Sequence, residues 1–131
     1  MAPVTLPRPL VNQLLQQAQR HPDHAAWGLI GSRDGQPTRC YPAQRRARPG
    51  ALHAPDTRDE GVFAVYHSHP APHGAPRAAE LAATGHPGVL HLIISLGTRG
   101  VLEMRGFRLR DGLTEEVALE VGPGTGAAQG Y

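Results

Sequence analysis

Two histidines stand one residue apart near the middle of the chain, in the stretch VYHSHP. Side chains at positions i and i+2 of a strand point the same way, so His67 and His69 can reach one ion together. Neutral imidazole suits zinc, and three protein ligands with one water make a catalytic zinc site. Glu80 lies on a predicted helix eleven residues after the second histidine and is the candidate third ligand. Two surface histidines are the alternative interpretation.

Other polar residues near this motif have simpler interpretations. His73 lies in the loop after the motif, where a solvated histidine is favoured over a substitute ligand. His91 lies within an apolar strand and is interpreted as a packed or edge histidine. Ser68, between the two histidines, should face away from any metal. Cys40 is the only cysteine, which excludes an intramolecular disulfide, and no pattern around it indicates a nucleophile.

The elements before the motif form a regular pattern. Apolar residues at helical spacing predict a helix from Leu10 that ends at the sequence HPD, because the residue before a proline is pushed out of the helical region. The run AAWGLIGS predicts a buried strand, followed by a turn at the sequence DG and a second strand through residues 38–41. Residues 42–60 are weakly patterned. VFAVYHSH is a strand rich in β-forming residues.

The elements after the motif are one helix and three strands. RAAELAATG predicts a short helix with a glycine C-cap, and GVLHLIISL predicts the central strand because it is apolar almost throughout. LEMRGFRLR alternates, so we expect Leu102, Met104, Phe107 and Leu109 to face the core, with a bulge at Gly106. A second DG turn leads to the last strand, EEVALEV.

These elements predict one domain of α/β class, in the mixed α+β sense. The expected boundaries are an irregular lead-in over residues 1–9, the domain over 10–121 and a flexible Gly/Ala-rich tail over 122–131. A chain of 131 residues can bury a core without help from disulfides or metals.

Charge and composition narrow the range of partners. The net charge is only +2, and the densest basic run, Arg45 to Arg48, is interpreted as a solvated loop, with contact to a phosphate or acidic partner as the alternative. Aromatic residues are few and do not alternate with basic ones, which argues against nucleic-acid binding. No apolar run approaches the ~20 residues that span a bilayer, and no signal peptide is visible. We expect a cytoplasmic protein without a membrane partner.

The motif and its surroundings together resemble the JAMM/MPN metallopeptidase family. That family carries His-x-His, seven residues, then Ser-x-x-Asp, with a glutamate far upstream. HPDHAAWGLIGS resembles its first strand and GFRLRDGLTEEVALEV its last two, so the resemblance covers most of residues 8–121, and it is strongest to small bacterial members. It implies a cytidine-deaminase-like fold, with a curved mixed sheet flanked by helices, and a zinc ion held by the two histidines and the aspartate.

Carried over residue by residue, the resemblance assigns metal ligation to His67 and His69. Seven residues after His69, the family's serine position falls at Arg77 and its aspartate position at Glu80. Arg77 can supply part of the electrostatic stabilisation that the serine gives to the oxyanion. Zinc accepts either carboxylate at a similar bond length, so Glu80 can replace the aspartate. An i, i+3 pair between Arg77 and Glu80 is an equally weighted alternative to ligation.

The family's general base, the upstream glutamate, maps onto Ala25, which cannot transfer a proton. His24 would point to the opposite face of the strand, and Asp23 has a shorter side chain two residues earlier. Glu60 lies near the histidine strand but has no counterpart in the family. Loss of a general base costs about 10²–10⁴-fold in rate. Trp27, where the family often has cysteine, is interpreted as a core residue.

The resemblance therefore implies a zinc-dependent peptidase or isopeptidase with a weakened catalytic constellation. Its expected cofactor is Zn²⁺, and its expected substrate is the C-terminal tail of a ubiquitin-like or sulfur-carrier protein. The first alternative is a catalytically inactive module of the same fold that binds or scaffolds. The second is a metal enzyme of another kind that uses the same histidine pair.

Overall fold

The computed structural model describes residues 3–20, 26–45, 52–53, 60–69, 76–82, 88–96 and 102–122. In chain order the elements are β1 (Val4–Leu6), α1 (Arg8–Arg20), β2 (Ala26–Arg33), β3 (Gln36–Pro42), β4 (Gln44–Arg45), β5 (Leu52–His53), β6 (Gly61–His69), α2 (Ala78–Ala82), β7 (Leu90–Leu96), β8 (Leu102–Arg110), β9 (Leu113–Val117) and β10 (Leu119–Val121).

A six-stranded mixed sheet in the order β3-β2-β6-β7-β8-β9 organises the domain. Strands β6 and β7 run parallel, and the other neighbouring pairs are antiparallel. The apolar strand β7 lies between β6 and β8, so its predicted central place is confirmed. The prediction of a single mixed α+β domain is confirmed as well.

Helix α1 covers one face of the sheet. Its residues Leu10, Leu14 and Ala18 are spaced at i, i+4 and i+8 and are buried. They pack in one cluster with buried residues of the strands, among them Ile30, Ala64, Tyr66, Leu90, Leu92, Ile94 and Val117. The helix starts at Arg8, two residues earlier than the apolar pattern predicts. Among the described residues no helix is long and apolar enough to cross a membrane.

Helix α2 packs on the opposite face. Its Leu81 forms a second buried cluster with Ile93 of β7 and Phe107 of β8, and Leu109 packs against that cluster. The sheet is therefore buried on both sides. This explains why β7 is apolar almost throughout and does not alternate.

The two predicted DG turns are confirmed. Asp34 and Gly35 have φ of 54° and 76°, and Asp111 and Gly112 have φ of 52° and 77°. Two consecutive positive φ values are typical of the type I′ turn, whose twist matches that of the flanking antiparallel strands.

The expected irregular lead-in is corrected by the structure. Val4–Leu6 form β1, which pairs in parallel with β10, and α1 begins soon after. The amide of Val4 donates to the carbonyl of Ala118 at 2.9 Å, so the predicted last strand divides at that residue into β9 and β10. A strand of three residues has too little pattern to be seen when its partner lies at the far end of the chain.

The expected bulge at Gly106 is wrong. The pairing of β8 with β7 continues through this residue without a shift, and the pairing with β9 starts at it and also has no shift. Met104 packs on the α1 side and Phe107 on the α2 side, so the change of pattern reflects two buried faces. Gly106 is needed for close packing, because a Cβ there would lie 2.8 Å from Cδ2 of Leu119.

Candidate metal centre

The two histidines of the motif lie at the carboxyl end of β6. His67 pairs with Trp27 of β2 and with Ile93 of β7, and His69 pairs with Ser95. Alternation along the strand puts both imidazoles on the face that carries α2, and both are half-buried. Ser68, between them, is buried and belongs to the α1 side, as the spacing predicts.

Helix α2 brings the third candidate to the same face. Leu81 contacts the cluster that contains Ile93, and Ile93 is the register partner of His67. Glu80 immediately precedes Leu81 in this helix, but its side chain lies outside the described part of the structure. Arg77 is exposed just before the helix, and its carbonyl accepts a hydrogen bond from the amide of Leu81 at 3.3 Å. Ligation by Glu80 and its pairing with Arg77 both stay predictions.

His67 and His69 are ligands of the type that zinc prefers, but a catalytic zinc site needs three protein ligands. Two imidazoles on one face at a strand end match what a zinc site requires. Within the described residues, no group of three His, Cys, Asp or Glu side chains comes together. A third ligand would have to come from a side chain outside that part, and the predicted one, Glu80, belongs to α2 on the same face of the sheet.

The family's general-base position falls just before β2. Asp23, His24 and Ala25 lie outside the described residues. The first strand residue after them, Ala26, pairs with Ser68 at the histidine end of β6. The first residue of β2 therefore lies at the histidine end of the sheet, and the residue that precedes it in the sequence is an alanine.

Glu60 lies at the other end of β6 and cannot serve as a substitute base. It precedes His67 by seven residues, roughly 20 Å along an extended strand. Its side chain is only 4% exposed and accepts hydrogen bonds from the hydroxyls of Tyr41 and of Thr38, the latter at 2.9 Å. Arg33 lies 3.6 Å from the same carboxylate.

The electrostatic surroundings of Glu60 keep it ionised. The hydrogen bond from Tyr41 is the main cause of a lowered pKa, and Thr38 and the two arginines Arg33 and Arg39 lower the pKa further. Glu60, Thr38 and Tyr41 form a closed group over Gly31, where a Cβ would lie 2.6 Å from a carboxylate oxygen of Glu60. We call Glu60, Thr38, Tyr41 and Gly31 the Glu60 cluster.

Two residues beside the histidines were not expected to belong to the site. Trp27 is half-buried and stands opposite His67, not in the core. His91 is fully buried, as a packed histidine should be, but its ring stacks on that of His67, with centroids 6.4 Å apart and planes 14° from parallel. Both contacts depend on strand register, which the sequence alone does not specify.

The remaining candidates from the sequence are Cys40, the RRAR run and His73. Cys40 packs against the α1 side, and burial raises its pKa to about 12, so it is a poor nucleophile. Arg45 belongs to β4, while 46–48, the rest of the RRAR run, and His73 lie outside the described residues. The roles discussed for them stay predictions.

Known structures share the fold of this domain. A protein from Desulfitobacterium hafniense, solved in solution, matches with a TM-score of 0.67 at 21% identity, over 91% of this chain and 92% of its own. A structure described as a JAMM metalloprotease-like zinc site in the proteasome and signalosome matches with a TM-score of 0.60 at 21% identity, over 92% and 99%. A JAB1/MPN domain protein from Archaeoglobus fulgidus matches with a TM-score of 0.61 at 22% identity, over 90% and 97%.

No protein-family model and no curated protein matches the sequence. The likeness is therefore one of structure. A mixed six-stranded sheet between helices, with a histidine pair at a strand end, defines the class of the domain. Its fold is the JAMM/MPN fold, over about nine-tenths of the chain.

Proposed function

We propose that this chain is a JAMM/MPN-type zinc domain in which His67 and His69 hold the metal and Glu80 supplies the third ligand. The observation that carries this proposal is the placement of both imidazoles on one face at the end of β6, in a domain of this fold. When bound, zinc polarises a carbonyl group and lowers the pKa of a water molecule.

The reaction that this site favours is hydrolysis of a peptide or isopeptide bond near the C-terminal tail of a ubiquitin-like or sulfur-carrier protein. Trp27 stands beside His67 and limits the approach from β2. Arg77, exposed before α2, offers a guanidinium to the developing oxyanion. Ala25 offers no base, so turnover is slow. The single cysteine fits a reducing, cytoplasmic location.

A second candidate is a non-catalytic binding module of the same fold. It is favoured by the replacement of the family's glutamate by Ala25 and of its serine by Arg77. Glu60 lies seven residues before His67 in the sequence, but it is held in the Glu60 cluster at the far end of β6 and does not compensate for the missing base. The two candidates share the metal site and differ in whether hydrolysis occurs.

Metal analysis of protein purified without added zinc tests the site. We expect near-stoichiometric zinc in the wild type and loss of zinc in the double variant His67→Ala, His69→Ala. The matched control is the variant His53→Ala, which should keep its zinc. His53 belongs to the separate hairpin β4–β5. A wild type that takes up no zinc even in excess would refute the proposal.

Restoration of the family's residues tests the chemistry. In zinc-loaded protein, the triple variant Ala25→Glu, Arg77→Ser, Glu80→Asp should cleave a ubiquitin-like fusion faster than the wild type. A gain of about 10²-fold or more is expected from the base alone. If activity does not rise although zinc is bound, the binding module is the better description.

A further inference from the structure

His91 is a fully buried polar residue beside the histidine pair. It lies on β7 in register with Val65, which precedes His67 by two residues. Its side chain has no exposed surface, and its ring is nearly parallel to the ring of His67 at a centroid distance of 6.4 Å. The two imidazoles therefore occupy adjacent levels on the α2 face of the sheet.

The surroundings of His91 are apolar. His91 is in register with Val65 of β6 and with Phe107 of β8, and Val65 is in turn paired with Leu29 of β2. All three of these side chains are buried. Burial of an imidazole costs free energy unless its polarity is used, so a leucine or isoleucine would fill this position more simply. Departures from local packing rules are concentrated at functional sites.

His91 is not placed to share an ion with both histidines of the motif. His69 pairs with Ser95, four residues beyond His91 along β7, which is roughly 13 Å of extended strand. Side chains stand roughly perpendicular to the sheet and keep most of this backbone separation, and among the described residues no three His, Cys, Asp or Glu side chains come together. The influence of His91 on a metal must therefore pass through His67.

We propose that His91 is a positioning residue, which fixes the ring orientation of His67 and so directs its ligating nitrogen. This inference rests on the proposed function of His67 and His69. Residues behind a ligating histidine hold its ring and tautomer, and their loss typically reduces metal affinity about 10–100-fold. An apolar ring in place of His91 would fill the same space without polar contact.

Zinc affinity in three variants tests this role. Binding is followed with Co²⁺ as a quencher of the only tryptophan, Trp27, which faces His67 roughly 5 Å away between Cβ atoms, and with Zn²⁺ by calorimetry. His91→Phe should bind both metals about 10–100-fold more weakly, whereas the metal-free variant should be at least as stable as the wild type. His91→Gln, which keeps a polar side chain, should recover part of the affinity. Ile93→Val is the packing control and should bind as the wild type does.

The outcomes separate the two proposals. If the wild type binds neither metal, both proposals fail. If the wild type binds and His91→Phe binds equally well, the positioning role fails and the histidine site stands. If affinity and metal-free stability fall together and His91→Gln rescues neither, His91 is a packing residue only. In metal-free protein, the nitrogen chemical shifts of the His67 ring should change in His91→Phe and not in Ile93→Val.

Discussion

The two ends of β6 carry polar side chains in opposite situations. At its start, the carboxylate of Glu60 is 4% exposed, accepts two hydroxyl donors and lies beside two arginines. At its end, His67 and His69 are half-buried on the face that carries α2. The first group is almost fully buried, and the second is partly exposed.

We infer that the start of β6 contributes to stability and that its end carries the candidate metal site. A buried carboxylate that accepts two hydroxyl donors holds neighbouring strands in place, and it lies at the wrong end of β6 to take a proton from a substrate beside the histidines. Half-buried imidazoles keep part of their surface exposed, and this is where the proposed metal would bind. We therefore expect substitutions at the start of β6 to change stability and substitutions at its end to change metal affinity.

The largest expected effect is at Gly31. Gly31→Val would place atoms within 2.6 Å of both Glu60 and Thr38, so overpacking should lower the free energy of unfolding by about 3 kcal/mol. Urea denaturation measures this loss, and zinc affinity of the folded variant should be unchanged. The matched control is Gly61→Ala, because the nearest atoms to a Cβ at Gly61 are 3.8 Å away. Equal destabilisation by both variants would contradict the role of the cluster.

A smaller effect, limited to acid pH, is expected at Glu60. Its pKa in the folded state is below the ordinary value of 4.5, so its stabilising contribution is present above about pH 4.5 and is lost as the pH falls through the folded-state pKa. Glu60→Gln removes this titration. The variant should be less stable than the wild type at neutral pH and should lose less stability on acidification.

The control for Glu60 is Glu115→Gln, which removes the same charge from an ion pair with Arg110 at a partly exposed position. Because exposed ion pairs contribute little to stability, the unfolding free energy of this variant should stay close to that of the wild type. Parallel curves for Glu60→Gln and the wild type would show that the cluster is not a stabilising feature of the fold.

The smallest effect is expected between the two ends, at Tyr66. Its hydroxyl is buried and has no hydrogen-bond partner among the described residues, and burial raises its pKa. Tyr66→Phe should therefore raise the unfolding free energy by about 1 kcal/mol, with no change in zinc affinity. A loss of stability in thermal or urea unfolding would reveal a polar partner for this hydroxyl.

Local patterns predict most of the fold. The apolar spacing of α1, the two DG turns and the apolar run of β7 each depend on residues close together in the chain. The histidine pair could be found for the same reason, since i and i+2 share a face in any strand. The short hairpin β4–β5 was missed, because strands of two residues carry no periodic pattern.

Contacts between strands could not be predicted. The pairing of β2 with β3 and its pairing with β6 both change register next to Gly31, and no local sequence pattern predicts these changes. The same register brings Trp27 opposite His67 and sets His91 beside it. The placement of the two candidate ligands therefore follows from their spacing in the sequence. The residues that surround them are determined by strand pairing.

The pairing of β1 with β10 has a consequence for how the domain folds. Val4 and Leu119 are register partners although they lie more than a hundred residues apart along the chain. Closing so long a loop costs more entropy than any hairpin, and three parallel pairs return little of it. This small sheet should form after the six-stranded sheet and open first, so that the amides of Val4 and Gly122 exchange with solvent hydrogen before those of β6.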